Sequence, residues 1–216
     1  TLGEDTYYMQ IFAPGILESR TNKVDGLPLI PVSAEAKALH ATLRIVDFHS
    51  DTLMWKRDIL RRADRGHEDL PRLQQGNVTL QLFSSVTKSP RGQNYDGNSG
   101  DTDNITPLVI AQLQPPRTWV SLTERSLFHA EKLDRAVAAS DGALVKVADA
   151  ASLDALLSAA AKSPRPVGAM LTIEGLQNLE GKAENLDRLH DAGFRMAGLT
   201  HFFDNELAGS MHGVEK

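Results

Sequence analysis

Residues 43–53 read LRIVDFHSDTL, an apolar and β-branched run that turns polar at His49, Ser50 and Asp51. The run has the composition of a buried strand. Parallel α/β folds place their functional groups where such strands end. Because alternate residues of an extended chain point to the same face, His49 and Asp51 can reach the same ligand. The stretch therefore predicts a parallel strand that ends in a candidate site.

Strands and helices alternate along the remainder of the chain. Four further runs have the apolar or alternating pattern of strands: 78–85, 143–147, 167–174 and 194–201. Segments rich in helix formers separate them: 34–40, 118–139, 152 to the residue before Pro164, and 183–192. This alternation indicates an α/β fold with a parallel sheet and right-handed crossovers.

The sequence divides into two parts and contains one long predicted loop. Residues 1–41 mix aromatic residues, prolines and glycines without a period, which indicates an irregular amino-terminal leader that ends in a short helix. Residues 42–216 carry the alternating strands and helices. A segment at about 87–116 is rich in glycine, asparagine, aspartate and proline, and a loop of that length is typical of a lid that covers a site.

Composition excludes several classes of protein. The 216 residues carry 23 basic and 28 acidic side chains, a net charge of −5, so no nucleic-acid partner held by phosphate contacts is expected. With 41% hydrophobic and 24% charged residues, the chain is expected to bury a globular core. It has no cysteine, which rules out disulfides and thiolate ligands. It also lacks the glycine-rich phosphate-binding motifs and the GxSxG nucleophile motif.

Three predicted strand exits carry residues of metal-ligand type. His49 and Asp51 follow the first strand, Glu174 ends the fourth, and His201 follows the fifth. Imidazole and carboxylate groups together suit a divalent cation such as zinc. A glutamate can bridge two metal ions about 3.5–4 Å apart, and a hydroxide shared by such a pair is a nucleophile at neutral pH. The constellation therefore predicts a metal-dependent hydrolase.

The other histidines are weaker candidates for metal ligands. A second His-x-Asp pattern, His67-Glu68-Asp69, precedes Leu70-Pro71 and is interpreted as a loop or helix entry. His212 stands in a loop-like segment next to Gly213. Three histidines lie in predicted helices beside charged residues, where solvent exposure is expected: His40, His129 and His190.

Four motifs, taken in order, resemble one known family. They are 45–53 (IVDFHSDTL), 66–73 (GHEDLPRL) with Gly76 and 81–84, 172–175 (TIEG), and 193–195 with 199–201. Together they are similar to the membrane dipeptidase (renal dipeptidase) family of zinc metallopeptidases, in particular to bacterial-type members. The resemblance extends from about residue 42 to the end of the chain. It implies an α/β fold, the (β/α)8 barrel of TIM type, of which this chain covers roughly the amino-terminal half.

The resemblance also implies roles for the candidate residues. His49 and Asp51 would ligate one zinc ion, and Glu174 would bridge two ions. His201 would bind the substrate, polarise the scissile carbonyl and stabilise the tetrahedral oxyanion, so Glu174 and His201 are the expected catalytic residues. The implied reaction is hydrolysis of the peptide bond of a dipeptide by a metal-bridging hydroxide, with a D-residue tolerated at the carboxyl side. A complete site holds two zinc ions, and the second ion needs ligands from outside this chain.

The expected partners are a dipeptide substrate and the missing carboxyl-terminal half of the barrel, supplied by another segment or chain; a homodimer is left open. If residues 1–216 stood alone, we expect that they would neither hold two equivalents of zinc nor cleave dipeptides. Two alternatives are another binuclear amidohydrolase, acting on lactones or non-peptide amides, and a non-catalytic barrel fragment or binding module. A processed start at Thr1 is compatible with an extracytoplasmic location, periplasmic or membrane-associated, which we favour over a cytoplasmic one.

Overall fold

The fold is described from a computed structural model, in which residues 32–64, 66–159 and 165–214 are described. Residues 1–31 of the predicted leader lie outside these ranges. The short helix expected after them is present as α1 (Ala34–Thr42), where the Ser33 side chain accepts a hydrogen bond from the Ala36 backbone N–H at 3.2 Å. No residue of α1 is buried, so this helix contributes little to the core.

Five strands form one parallel sheet: β1 (Ile45–Asp47), β2 (Val78–Val86), β3 (Leu144–Lys146), β4 (Val167–Glu174) and β5 (Phe194–Ala197). β2 pairs with β1 on one side and with β4 on the other. On its other edge, β4 pairs with β3 through residues 167–169 and with β5 through residues 171–173. These pairings confirm the strands and the parallel sheet expected from the sequence.

Helices follow the strands as the alternation predicts: α2 (Leu70–Gln75), α3 (Ile105–Ala111), α4 (Arg117–Val120), α5 (Leu122–Ala139), α6 (Ala150–Ser158) and α7 (Glu184–Asp191). Two short 3₁₀ turns, Thr52–Met54 and Leu176–Leu179, come after β1 and β4. Among the described residues, none of the helices combines the length and the apolar character needed to cross a membrane.

The single helix predicted from residue 118 to 139 is corrected to two helices, α4 and α5. Ser121 separates them with extended backbone angles, φ −133° and ψ 128°. Its side chain accepts a hydrogen bond from the Glu124 backbone N–H at 3.2 Å, and its hydroxyl donates to Glu180 at 2.9 Å. Because serine is a strong helix cap and a weaker helix former, these contacts end one helix and begin the next.

The loop predicted at about 87–116 is corrected in its second half, where α3 forms. Three apolar side chains of α3 are buried in one cluster with Met54 and Val86: Ile105, Leu108 and Val109. Arg125 of α5, which is only 2% exposed, donates to the Thr87 carbonyl at 2.6 Å and to Asp103 at 2.9 Å. Apolar burial and this ion pair order a segment whose composition alone predicts a loop.

The main core lies between the sheet and the helices that pack on it. Its cluster combines apolar residues of β2, β4, α5 and α7, among them Phe83, Leu133, Leu171 and Leu189. Burial of each large apolar side chain of this kind contributes roughly 1.5–3 kcal/mol. Because all five strands run parallel, their carboxyl ends all lie at the same end of the sheet, here termed its carboxyl edge. The candidate site lies at this carboxyl edge.

Candidate metal centre

The turn after β1 fixes the segment His49-Ser50-Asp51. The Ser50 carbonyl accepts a hydrogen bond from the backbone N–H of Ser84, on β2, at 2.7 Å. The Asp51 carbonyl accepts from the Met54 N–H at 2.9 Å and so begins the first 3₁₀ turn. The segment is therefore attached both to the neighbouring strand and to the turn that follows it.

Glu174 is the last residue of β4 and pairs with Val86 at the end of β2. Gly175 follows it at φ +85°, a conformation that favours glycine, and a Cβ at this position would collide with the Gln177 side chain. The chain therefore turns sharply just after the carboxylate. Strand pairing and this turn place Glu174 at the same sheet edge as the turn after β1.

The side chains of His49, Asp51 and Glu174 converge. His49 Nε2 lies 3.1 Å from Asp51 Oδ1 and 3.4 Å from Glu174 Oε2. One ligand atom from each residue lies within 4.8 Å of the other two. Tetrahedral ligands about 2.0–2.1 Å from a zinc ion are roughly 3.3–3.4 Å apart, so the two shorter spacings suit a shared ion. The structure brings together the three residues that the sequence proposes as ligands.

His201 faces the other carboxylate oxygen of Glu174. Its Nε2 lies 2.8 Å from Glu174 Oε1, whereas His49 lies near Oε2. The segment that carries His201 is held against the end of β4, because the Gly198 backbone N–H donates to the Ile173 carbonyl at 3.0 Å. All four residues proposed from the sequence thus belong to one cluster, and Glu174 is at its centre.

Burial and charge act differently on the two carboxylates. Burial raises the pKa of Asp51, and the neighbouring Glu174 carboxylate raises it further. Burial also opposes ionisation of Glu174, but its hydrogen bond with His201, and the charges of His201 and His49, leave the Glu174 pKa below its usual value. Asp51 Oδ1 is buried and, apart from the 3.1 Å contact with His49 Nε2, has no polar partner among the described residues. A cation between the carboxylates would satisfy this oxygen, so the residues present fit a divalent metal.

A sequence model of the family described as membrane dipeptidase (peptidase family M19) matches residues 33–216. The chain belongs to this family. The resemblance inferred from four sequence motifs is thereby confirmed. No curated protein sequence matches the chain.

Solved structures of the membrane dipeptidase family share the fold of the described residues. The dipeptidase AC, a metallopeptidase of family M19, is 18% identical with a TM-score of 0.50, over 74% of this chain and 44% of that one. A metallopeptidase from Rhodobacter sphaeroides, liganded with a phosphinate mimic of the dipeptide L-Ala-D-Ala, is 18% identical with a TM-score of 0.51, over 74% of this chain and 46% of that one. This chain therefore spans a little less than half the length of these structures and has the fold of a partial β/α barrel.

Glu68 lies beside the cluster of His49, Asp51 and Glu174, although the sequence predicts no role for it. Ser50 Oγ donates a hydrogen bond to Glu68 Oε2, and the two residues are 18 positions apart in the chain. Burial raises the pKa of Glu68, and the carboxylates of Asp47 and Asp51 add to this effect. Such a contact between separate segments leaves no pattern in the sequence, because neither residue type nor spacing marks it.

The helix-entry interpretation of the His67-Glu68-Asp69 motif is confirmed. Asp69 caps α2, because its side chain accepts a hydrogen bond from the Arg72 backbone N–H at 3.0 Å. The same carboxylate accepts from the Ala63 backbone N–H at 3.1 Å. His67 is exposed. Asp69 therefore makes hydrogen bonds that hold the start of α2, and it does not belong to the cluster of His49, Asp51 and Glu174.

The prediction that His129 is solvated is wrong. The residue is 1% exposed, and its Nδ1 lies 2.8 Å from Ser85 Oγ of β2. It shares the buried face of α5 with Ser126 and Leu133, at the three- and four-residue spacings that align side chains on a helix. Burial, with the charges of Lys132 and Arg125, lowers the His129 pKa to about 3. This histidine is therefore a neutral core residue.

The remaining histidines also lie outside the cluster. His40 and His190 are exposed, as predicted. His212 Nδ1 lies 3.0 Å from the Tyr95 carbonyl, and its ring stacks on Phe202 with the ring centres 6.0 Å apart. His212 thus connects the loop after β2 to the segment that follows His201.

Proposed function

We propose that this chain forms part of the active site of a zinc-dependent dipeptidase. The observation that carries the proposal is the convergence of His49, Asp51 and Glu174 at the carboxyl edge of a parallel sheet. Membership of a family described as membrane dipeptidases supports the reaction class. Because the chain spans less than half of its structural neighbours, the remaining ligands and pocket walls would come from the other part of the barrel.

In this proposal His49 and Asp51 would hold one zinc ion, and Glu174 would be a ligand shared with a second. Zinc bound in such a site supplies a water-derived nucleophile at neutral pH and polarises a carbonyl. The two Glu174 oxygens already face different partners, since Oε2 is near His49 and Oε1 is near His201. This orientation suits a bridging carboxylate.

His201 would act on the substrate. Its side chain is 16% exposed, and Nε2 lies 2.8 Å from Glu174 Oε1. A substrate carbonyl that enters beside Glu174 can take over this hydrogen-bond donor. A donor already placed where the oxyanion develops is usually the largest contribution to catalysis of this type. We therefore assign His201 to polarisation of the scissile carbonyl and stabilisation of the tetrahedral oxyanion.

The proposed substrates are dipeptides, including those with a D-residue at the carboxyl side. The neighbouring structure with a bound mimic of L-Ala-D-Ala supports this choice for the family. An extracytoplasmic or membrane-associated location is proposed from the family description alone.

The test is zinc content and hydrolysis of L-Ala-D-Ala and L-Ala-L-Ala by the purified full-length protein. His49→Ala should lose bound zinc and reduce kcat/KM by more than about 100-fold, because it removes a ligand rather than a supporting residue. His40→Ala is the matched control, since His40 is an exposed histidine on α1 and should leave both quantities unchanged.

Two outcomes would overturn the proposal. If His49→Ala retains its zinc and its activity, the metal mechanism is wrong. If the wild-type protein hydrolyses lactones or non-peptide amides but no dipeptide, the binuclear amidohydrolase alternative replaces the dipeptidase.

A further inference from the structure

A cavity of about 350 Å³ lies between the turn after β1 and helix α5. Four cationic side chains and one carboxylate line it, together with an aromatic ring: Lys56, Arg57, Lys132, Arg135, Asp58 and Phe128. A second cavity of about 340 Å³ shares Arg57, Asp58, Lys132 and Arg135 with the first. Such a concentration of positive charge is unexpected in a chain whose net charge is −5.

The nearest carboxylates are each shared with a cation outside the cavity. Asp58 pairs with Arg61, with 3.3 Å between Oδ2 and Nε. Glu131, next to Lys132 on α5, pairs with Arg117 at 2.6 Å and lies 3.8 Å from Arg135, a cation of the cavity. Lys56 and Lys132 form no ion pair with a carboxylate of the described residues, so these two positive charges of the cavity lack a counter-charge there.

Lys132 connects the cavity to the metal centre. Its Nζ donates to the carbonyls of Leu53 and Trp55, in the turn that begins at Asp51. Burial, and then the charge of Arg135, lowers the Lys132 pKa to about 8. The titratable neighbours of Lys132 on α5 are His129, which is neutral, Glu131 and Arg135. An anion in the cavity would offset the crowding of charges that lowers this pKa.

The chemistry of the cavity favours a multiply charged oxyanion. A guanidinium group such as that of Arg135 can bind two oxygens of one anion, and the ammonium groups of Lys56 and Lys132 add point charges. Phe128 already packs against Arg135, whose guanidinium lies 5.6 Å from its ring centre. A tetrahedral dianion carries twice the charge of a carboxylate and more acceptor oxygens, so it matches these groups better.

We propose that this cavity binds a phosphate-class anion and that Lys132 transmits its occupancy to the turn that carries Asp51. Anion binding does not depend on the proposed peptidase activity and can be tested separately from it, whereas the coupling to zinc rests on the proposed metal site. An anion contacting Lys132 competes with the Leu53 and Trp55 carbonyls for its three N–H groups. Because the coupling of two sites is reciprocal, zinc and phosphate should each change the affinity for the other.

The experiment is calorimetric titration of the purified full-length protein with inorganic phosphate. The double variant Lys56→Met/Arg135→Met should bind phosphate at least about tenfold more weakly, since hydrogen bonds to charged groups are the stronger class. Lys37→Met, on the exposed surface of α1, is the control for loss of a lysine charge and should bind like wild type. Equal binding by the double variant and wild type, or no binding by either, would overturn the proposal.

Proton uptake on phosphate binding provides a second measurement, and its value for the wild-type protein does not depend on how well a variant folds. At pH 8 about half of the Lys132 side chains are unprotonated, so phosphate binding should take up as much as about half a proton per anion. The uptake is obtained by repeating the titration in buffers with different ionisation enthalpies. Lys132→Arg keeps the charge but does not titrate in this range, and it should bind phosphate with a smaller uptake. An unchanged uptake would exclude Lys132 as the coupled group.

Discussion

Ser50 stands between the two proposed ligands of the β1 turn and makes contacts on both sides of the segment. Its carbonyl is bound by the Ser84 backbone, and its hydroxyl donates to Glu68. The same hydroxyl oxygen accepts from the Thr52 backbone N–H at 3.2 Å. The orientation of His49 and Asp51 therefore depends on a residue that does not itself bind metal.

We expect Glu68→Ala to weaken zinc binding about 10–100-fold, the usual cost of removing a group that orients metal ligands. The physical reason is the loss of the Ser50 hydrogen bond, which leaves the His49-Ser50-Asp51 segment attached only through its backbone. Zinc affinity is measured by competition with a chelating dye.

Glu68→Gln keeps an oxygen that can accept from Ser50 and should recover much of the zinc affinity lost in Glu68→Ala. Asp154→Ala is the matched control, because Asp154 is exposed on α6. Zinc affinity unchanged in Glu68→Ala would show that the Ser50 contact does not position the ligands.

His129 should make stability depend on pH. Its pKa is about 3 in the folded protein and about 6.5 in the unfolded chain, so between these values the unfolded state binds more protons. The contribution of the neutral, buried His129 to the free energy of unfolding is fully present above pH 6.5 and decreases as the pH falls. Between pH 7 and pH 5 the free energy of unfolding should decrease by about 2 kcal/mol from this residue alone.

Urea unfolding at several pH values checks this effect. His129→Gln should be less stable than wild type at pH 7, because Ser85 loses its imidazole partner, but it should lack this part of the pH dependence. His40→Ala should keep the wild-type profile. A His129→Gln profile parallel to that of wild type between pH 5 and pH 7 would contradict the assignment of a buried neutral imidazole.

At the scale of elements, one buried arginine joins three segments. Arg125 of α5 contacts the Thr118 carbonyl of α4, the Thr87 carbonyl at the end of β2, and the Asp103 carboxylate just before α3. The loop after β2 and the helix that follows it are thus attached to α5 through one side chain.

Arg125→Met should lower the free energy of unfolding by about 3–5 kcal/mol, because it leaves Asp103 partly buried without its cation. Arg117→Met should cost no more than about 1 kcal/mol, since its ion pairs with Glu124 and Glu131 are largely exposed. Chemical denaturation gives both values, and equal losses in the two variants would contradict this distinction.

The elements differ in how far the sequence predicts them. The five strands are found from their apolar runs, because period and composition are local properties. Helix α3 is missed since its segment is rich in loop-forming residues, and its order depends on contacts with Met54, Val86 and Arg125. The break at Ser121 is missed for the same reason, because its acceptor Glu180 lies 59 positions away.

At the scale of the whole molecule, the sheet has two edges without a neighbouring strand among the described residues. One edge is β1, where Val46 is 39% exposed, and the other is formed by β3 and β5, where Met196 of β5 is 43% exposed. Exposed apolar strand edges promote pairing between molecules unless another segment covers them. The partial barrel is therefore expected to need further strands at both edges.

A polypeptide restricted to residues 1–216 should self-associate through these edges, and Val46→Lys/Met196→Lys should reduce that association. Light scattering across a concentration series measures it. Leu39→Lys is the control, because Leu39 is an exposed apolar residue on α1, outside the sheet. If the control reduces association as much as the edge variant does, the strand edges are not responsible.

The residues of the candidate site are predictable from the sequence only because parallel strands bring together chain segments that are far apart in the sequence. His49, Asp51, Glu174 and His201 are found by residue type and by their position after strands. Glu68 and Lys132 are not, because they act through contacts with the backbone or side chains of the β1 turn. Sequence patterns identify the groups that would touch a metal and miss the groups that hold those ligands in place.

The three proposed ligands also differ in the strength of their attachment to the fold. Glu174 ends β4, which is paired along both edges, whereas His49 and Asp51 follow a three-residue strand that is paired along only one. A metal ion bound by all three would act as a cross-link that closes a loop of about 120 residues. A covalent link across a loop of about that size removes roughly 4–5 kcal/mol of chain entropy from the unfolded state. Chelation would then loosen β1 first, so the amides of this three-residue edge strand would report the loss of metal before those of β2 and β4.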